Sequence, residues 1–370
     1  MRRWKAWWSG RAARTEAIGL VSLVTTLLAF AFAGTSAANA TETPACTGEP
    51  SAIQTLHITV DGVPTYGYYA LPASAPKGIV VVGHGYPDTA ESVVGLLPGI
   101  AQRDDAIALA MDYHGTEDLE GPTGTASRGW RVQEGAEDSI AAARLFDGAC
   151  EGATPLTISA LGISMGGNMT GLAVSEHATR PNGSPLFEYW FDVAGVTDVP
   201  EIYTDATAIS LAPLGSIQTI GTDAKADIEA EMGGSPVLRL GTYLARSPVT
   251  RASAMRASGL KGVVISHGAL DDEVTSDESD QMLAALTLAG TPTDFYTSVF
   301  KAPESPPGLT LDGDILGLIP GYESPFAGHV NEIVLDAALG RLDALYQEGV
   351  TPSGLNVTLD DGELGEYPLL

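Results

Sequence analysis

The chain has 370 residues with 19 basic and 46 acidic side chains, so its formal net charge is -27. Apolar residues make up 44% of it, which excludes disorder throughout. The acidic balance argues against nucleic acid as a partner and against docking on anionic membranes. Only two cysteines are present, which excludes a disulfide-scaffold mini-protein and a four-cysteine zinc site.

The first forty residues have the layout of a secretory signal peptide. A basic start precedes an apolar run over residues 17–33, and the small-residue cleavage pattern Ala38-Asn39-Ala40 follows. We therefore predict that residues 1–40 are removed and that the mature protein is secreted or extracytoplasmic, without membrane attachment. Because the apolar run is rather long, an uncleaved N-terminal anchor is the alternative.

The two cysteines form an even pair, which in an extracellular protein is typical of one disulfide. Cys46 lies in an N-terminal arm, residues 41–53, and Cys150 lies far downstream. A bond that closes so long a loop stabilises a fold by ~3–5 kcal/mol in the chain-entropy treatment. Two unrelated thiols, or Cys46 as a lipid anchor, are the alternatives.

Short apolar runs alternate with segments of helical spacing from residue 54 onward. Residues 54–60 and 65–71 alternate around Asp61-Gly62, which predicts an antiparallel hairpin. Continuous apolar runs typical of strands buried on both faces follow at 78–83, 106–111, 156–161, 190–194 and 262–266. Helical spacing is found at 89–103, 133–147, 165–177, 276–289 and 330–347. This order predicts an α/β fold with a doubly wound, mostly parallel sheet.

Residues 199–250 interrupt the alternation with several short helical pieces between two predicted strands. We interpret them as a helical cap-like insertion over the carboxyl edge of the sheet, where open parallel sheets bind ligands. A long loop rich in Pro and Gly follows at 302–328. The C-terminal tail, residues 349–370, is predicted to form a surface strand or a loose end.

One strand–turn–helix sequence carries the chemistry. Gly162-Ile163-Ser164-Met165-Gly166 matches GxSxG, with a predicted strand before it and a predicted helix after it. A serine in so sharp a turn needs small neighbours, because the backbone there is strained and crowded. Ser164 is therefore the predicted nucleophile, and the Met165 N–H at the helix N-terminus is a predicted oxyanion donor. An ordinary Gly-rich turn is the alternative.

A serine hydroxyl needs a base, and six histidines are candidates. His329 comes last in the chain, on a loop that can reach back over the sheet, and it is the predicted base. His114, at the end of a predicted strand, is its main competitor.

The base in turn needs a carboxylate that holds its tautomer. Asp271 lies in the tight turn just after strand 262–266 and is the predicted partner. Asp192 and Asp198 are alternatives, whereas Asp272 and Glu273 are interpreted as solvated surface.

A second oxyanion donor is expected from an early strand–helix loop. Tyr86 follows the apolar run 78–83, and its backbone N–H is the predicted donor, since Pro87 has none. Tyr113 and Trp130 are candidates for the pocket lining, although large aromatic residues more often belong to the core.

Four motifs occur in the order that resembles the α/β-hydrolase superfamily: His84-Gly85-Tyr86, the GxSxG turn with Gly167, Gly268-x-x-Asp271-x-x-Val274 and Gly328-His329. The segment Arg246-Ser247-Pro248, upstream of the third motif, resembles a segment in the catalytic domain of the prolyl-oligopeptidase and dienelactone-hydrolase-like group. The resemblance covers residues 54–348 and implies a catalytic domain there. A propeller is expected to be absent, and the nucleophile is serine where dienelactone hydrolases use cysteine.

These residues and the resemblance together predict a secreted serine hydrolase that cleaves carboxylic esters through an acyl-enzyme on Ser164. No metal or organic cofactor is expected. The substrate is expected to be a small-molecule or polymeric ester, with its size selected by the insertion 199–250. The alternatives are a secreted peptidase of the prolyl-oligopeptidase type, an acyltransferase, and a catalytically silent binding protein on the same scaffold.

Overall fold

The apolar runs of the sequence form the strands of one sheet. The computed structural model describes residues 39–40, 43–114, 129–150, 152, 155–211, 215–269, 271, 273–299, 329 and 332–359. The predicted signal peptide, apart from Asn39-Ala40, and the loop 302–328 lie outside these ranges. Within them the sheet has ten strands, β1 to β10: Asn39–Ala40, Gln54–Val60, Val63–Ala70, Gly78–Gly83, Ala106–Asp112, Thr157–Ile163, Tyr189–Val193, Gly262–Gly268, Thr293–Ser298 and Asn356–Leu359.

The strand order is β1-β2-β3-β5-β4-β6-β7-β8-β9-β10, and every pair from β5 to β10 is parallel. The first strands are antiparallel, and the predicted hairpin is confirmed by the pairing of Val60 with Val63. Asp61 and Gly62 form its turn with φ values of 49° and 86°, as a two-residue hairpin turn requires. The predicted doubly wound, mostly parallel sheet is confirmed.

Helices cover both faces of the parallel strands. In chain order, α1 to α9 are Leu96–Asp104, Val132–Cys150, Met165–Ser175, Val199–Ile209, Gly215–Met232, Pro236–Ala245, Ala252–Ala257, Ser276–Ala289 and Glu332–Asp343. Short 3-10 turns occur at Ala90–Val93 and Pro248–Arg251, and a π-helical turn at Ala344–Glu348. In β4, Ile79 and Val81 join one core cluster while Val80 and Val82 join the other. Since successive side chains point to opposite faces, a strand buried on both faces is a continuous apolar run.

Helices α4, α5 and α6 occupy the interval 199–250 between β7 and β8. Helix α5 has 18 residues and is longer than the short pieces that the sequence predicts. Tyr86 Oη, in the loop after β4, donates to Asp227 Oδ2 of α5 at 2.8 Å. The inserted helices therefore contact the carboxyl edge of the sheet.

Strand β9 is absent from the sequence prediction because its buried positions include polar residues. Asp294 Oδ1 accepts the backbone N–H groups of Ser353, Gly354 and Leu355 at 2.8–2.9 Å, and Arg341 binds Oδ2 at 2.8 Å. These bonds satisfy the buried carboxylate and anchor the segment before β10, so the C-terminal tail contributes a strand.

Cys46 and Cys150 form the predicted disulfide across a sequence separation of 104 residues. The bond joins the N-terminal arm to the last residue of α2. None of the helices in the described ranges combines the length and hydropathy that a membrane span requires.

Candidate active site

The turn between β6 and α3 holds Ser164 in an unusual backbone conformation, with φ 56° and ψ -125°. Such a conformation costs a residue with a side chain ~1–3 kcal/mol, so the surroundings must enforce it. Ser164 N donates to Val193 O at 3.0 Å, and Ser164 O accepts from Gly167 N at 2.8 Å and Val196 N at 3.2 Å. The neighbouring strand and the helix start therefore hold the turn in place.

Two glycines allow the turn to pack tightly. A Cβ added at Gly162 would lie under 3.0 Å from the carbonyl oxygen of Gly166, and one added at Gly166 would lie equally close to that of Gly83. The two glycines of GxSxG thus let α3 approach β4 and β6 at backbone distance.

The structure brings Ser164, His329 and Asp271 together. His329 Nε2 lies 2.9 Å from Ser164 Oγ, and His329 Nδ1 lies 2.8 Å from Asp271 Oδ2. The imidazole is 12% exposed and the Asp271 side chain is fully buried. This chain of hydrogen bonds can pass a proton between a serine hydroxyl and an imidazole that a carboxylate orients.

Asp271 follows β8 in a tight turn that satisfies both of its oxygens. Oδ1 accepts the backbone N–H groups of Glu273 at 2.9 Å and Val274 at 3.1 Å. Oδ2 lies 3.2 Å from His267 Nε2 as well as near His329. Burial disfavours the carboxylate, but the hydrogen bonds from His267 and His329 outweigh it and hold the pKa of Asp271 well below its usual range.

Glu273 is a site residue that the sequence analysis wrongly assigned to solvated surface. Its Oε2 lies 3.9 Å from His329 Nε2, and its side chain is 29% exposed. Burial raises the pKa of Glu273, the charge of His329 lowers it, and the charge of Asp271 raises it again. Asp272, the other carboxylate that the sequence analysis interprets as solvated surface, lies outside the described residues.

The two carboxylates determine the charge of the imidazole. Burial disfavours protonated His329, but the negative charge of Glu273 and the hydrogen bond and charge of Asp271 outweigh it and raise the pKa of His329 to about 9. A raised pKa increases the fraction of His329 that is protonated at neutral pH, and only the unprotonated fraction can act as a base.

The predicted oxyanion donors flank Ser164. Met165 begins α3, so its N–H has no acceptor within the helix. A Cβ added at Gly85 would lie 3.7 Å from Ser164 Oγ, which shows that the loop carrying Tyr86 passes beside the hydroxyl. The Tyr86 ring is 5.8 Å from that of Trp130, which is buried. The oxyanion roles of Met165 and Tyr86 stay predictions.

The sequence profile of the prolyl oligopeptidase family matches residues 99–300, which is more than half of the chain. The chain belongs to the prolyl oligopeptidase family. Its fold is similar to that of an esterase from Pyrobaculum calidifontis, at 14% identity over 81% of this chain and 86% of that chain, with a TM-score of 0.51. An acylaminoacyl peptidase from Pyrococcus horikoshii is 19% identical over 70% of this chain and 38% of that chain, with a TM-score of 0.47. No curated protein matches the sequence.

In this prolyl oligopeptidase family member, an α/β-hydrolase and a serine hydrolase, no hydrogen bond in the described ranges joins the competing candidates to Ser164 or His329. His114 Nδ1 lies 2.7 Å from Asp138 Oδ1 rather than beside Ser164. The Asp192 carboxyl is buried beneath the turn, and neither of its oxygens has a hydrogen-bond partner within the described ranges. Burial raises the pKa of Asp192 to about 8, so the group is neutral at pH 7. Asp198 is the N-cap residue that precedes α4, and the carboxylate bonded to His329 Nδ1 is that of Asp271.

Tyr113 and Trp130, the candidates for the pocket lining, belong to the core of this family member. Tyr113 is buried and stacks on the His84 ring at 4.0 Å. Burial lowers the pKa of His84 to about 4, so this histidine is neutral at pH 7. Among the described residues, no group of three or more His, Cys, Asp and Glu side chains could hold a metal ion.

Proposed function

We propose that this serine hydrolase cleaves carboxylic esters through an acyl-enzyme on Ser164 and that it acts outside the cytoplasm. The observation that carries the catalytic part is the continuous hydrogen-bond chain from Ser164 Oγ through His329 to Asp271. Neither a metal nor an organic cofactor enters the proposed steps.

In the first half-reaction, Ser164 Oγ attacks the ester carbonyl carbon while unprotonated His329 takes the hydroxyl proton at Nε2. The oxyanion accepts hydrogen bonds from the N–H groups of Met165 and Tyr86. His329 then gives the proton to the departing alkoxide, which leaves as the alcohol, and the acyl group stays on Ser164. In the second half-reaction a water molecule loses a proton to His329 and attacks the acyl carbon. Ser164 Oγ recovers the proton as the carboxylic acid departs.

Ester cleavage is favoured over amide cleavage because an alkoxide departs with less assistance than an amine anion. The esterase from Pyrobaculum calidifontis shares the fold and is consistent with the proposal. A peptidase is the second candidate, since the family is that of prolyl oligopeptidase. The Glu273 carboxylate beside His329 also supports this candidate, because it could bind a substrate ammonium group.

Action outside the cytoplasm is supported by the Cys46–Cys150 disulfide, since such bonds persist in oxidising compartments. The signal-peptide layout of residues 1–40 points the same way. N-terminal sequencing of the protein released from the producing cell tests this part. A start near residue 41 supports it, and an intact residue 1 in the soluble cell interior contradicts it.

The decisive experiment compares an ester and an amide of the same acyl group. We expect the ester to be hydrolysed and the amide not to be hydrolysed above background, and a fluorophosphonate probe to modify Ser164. Ser164→Ala should lose at least about a thousandfold in kcat, whereas Ser92→Ala, which changes an exposed serine, should not. Full ester hydrolysis by Ser164→Ala would refute the proposal. Amide hydrolysis that is lost in Ser164→Ala would favour the peptidase, and product carrying an added alcohol would favour an acyltransferase.

A further inference from the structure

His267 lies one residue before the end of β8, directly behind Asp271, and its side chain is fully buried. Its Nε2 atom lies 2.9 Å from Val274 O and 3.2 Å from Asp271 Oδ2. Its Nδ1 atom lies 2.5 Å from Ser279 Oγ, in the first turn of α8. Both ring nitrogens are therefore engaged, and one of them faces the carboxylate that orients His329.

The neighbours of His267 determine which nitrogen carries hydrogen. Val274 O and the Asp271 carboxylate are acceptors only, so Nε2 must carry a proton to bond with either. Ser279 can donate its hydroxyl hydrogen to an unprotonated Nδ1. A neutral imidazole with hydrogen on Nε2 thus satisfies every contact of this ring: the N–H group donates to Val274 O, and Asp271 Oδ2 lies 3.2 Å from the same nitrogen.

We infer that His267 is a positioning residue for the reaction: it holds the Asp271 carboxylate in the orientation that His329 requires. This inference rests on the proposed function. The two backbone N–H groups fix Oδ1, and His267 restrains Oδ2, which is the oxygen that bonds to His329 Nδ1. Oδ2 thus has an imidazole nitrogen of His329 at 2.8 Å and one of His267 at 3.2 Å. Ser279 acts one step further back by fixing the tautomer of His267.

Loss of this restraint has a defined consequence. Without the Nε2–H group the carboxylate can turn about its terminal torsion, and the share of molecules in which Oδ2 meets His329 falls. The free energy of a hydrogen bond to a charged group corresponds to a ~10- to 100-fold change in the population of the correctly oriented carboxylate. Because His267 lies behind Asp271 and does not contact Ser164, we expect the loss in kcat and little change in KM.

The test is a double-mutant cycle between His267→Leu and Asp271→Asn, with kcat and KM measured on the ester. In the otherwise unchanged enzyme, His267→Leu should lower kcat by ~10- to 100-fold. In the Asp271→Asn background it should cause no further loss, since the carboxylate through which it acts is gone. His267→Gln, which keeps an N–H donor, should recover most of the rate.

Losses that add in the double variant, or an equal loss for His267→Gln and His267→Leu, would overturn the inference and indicate a general packing role. If His267→Leu does not fold, Ser279→Ala replaces it in the same cycle. Ser279→Ala should cause a smaller loss of kcat in the otherwise unchanged enzyme and no further loss in the Asp271→Asn background. Unchanged kcat in a folded His267→Leu would also overturn the inference. Failure of the proposed function is seen separately, as ester hydrolysis that persists in Ser164→Ala.

Discussion

Replacing Glu273 by glutamine removes one of the two negative charges that keep His329 protonated. Glu273 Oε2 and His329 Nε2 are 3.9 Å apart. At that distance two unit charges interact by about 4 kcal/mol at an effective dielectric constant of 20 and by about 1 kcal/mol in water. These limits correspond to roughly 3 and 0.8 pKa units. Because the Glu273 side chain is 29% exposed, solvent screens the pair, and we expect His329 to titrate ~1–2 units lower in Glu273→Gln.

The assay is kcat/KM for a neutral ester between pH 5 and pH 10. His329 acts as a base only when unprotonated, so kcat/KM should rise with pH through the His329 pKa of about 9 in the unaltered enzyme. In Glu273→Gln the same rise should occur ~1–2 pH units lower, which makes the variant roughly tenfold or more faster at pH 7. NMR titration of the His329 ring should give the same displacement.

Glu91→Gln is the matched control, since it removes an exposed charge near the start of the helical segment after β4. Its pH profile should coincide with that of the unaltered enzyme. An unshifted profile in Glu273→Gln would refute the electrostatic reasoning. So would an unaltered enzyme whose activity already reaches its plateau by pH 7, because His329 would then have an ordinary pKa.

Three further changes test the framework of the site. Asp192→Asn should gain stability relative to the unaltered protein as pH rises from about 4 to 8, by up to about 1.4 kcal/mol per pH unit. Burial raises the pKa of Asp192 to about 8 in the folded protein, whereas the unfolded chain ionises at about pH 4. Between these values rising pH therefore stabilises the unfolded state of the unaltered protein, and Asp192→Asn does not have this loss. Urea unfolding at pH 5 and pH 8 measures the difference. Gly162→Ala should lower stability by ~1–3 kcal/mol and reduce activity, because its Cβ would meet the Gly166 carbonyl. A Cβ added at Gly241 meets nothing within 4 Å, so Gly241→Ala should be neutral or stabilising. Thermal unfolding scans of both glycine variants measure the difference. Replacing Cys46 and Cys150 together by serine should lower the free energy of unfolding by about 4.7 kcal/mol at most, and an unchanged melting temperature would refute a stabilising role.

The parts of the fold that the sequence predicts are those with a local signal. The run before Ser164, residues 156–161, is mostly apolar, and a Cβ added at Gly162 or Gly166 would meet backbone atoms of neighbouring elements. The turn carrying Asp271 is likewise placed by the strand that precedes it. Position in the chain favours His329 over His114, and the hydrogen bond between His114 and Asp138 agrees with that choice.

The roles of Glu273 and His267 have no such local signal. Whether a carboxylate is solvated depends on what covers it, and the group beside Glu273 comes from residue 329, far along the chain. His267 resembles an ordinary strand residue until β8 and α8 are packed together, because Ser279 supplies its second contact. His267 directly precedes the Gly268-x-x-Asp271-x-x-Val274 motif, and this position is the feature of the sequence that links His267 to Asp271. Strand β9 is missed for a similar reason, since the partners of buried Asp294 lie 47 to 61 residues away.

The hydrogen bond between Ser164 and His329 joins residues 165 positions apart, whereas the turn around Ser164 is built from near neighbours and one adjacent strand. Contacts between distant positions form slowly, because a long loop must close before any interaction rewards it. During refolding, helical signal should therefore return well before enzymatic turnover. A chain that ends at β8 would lack His329 and so would have no base to activate Ser164, which ties hydrolysis to the arrival of a segment far downstream of the nucleophile.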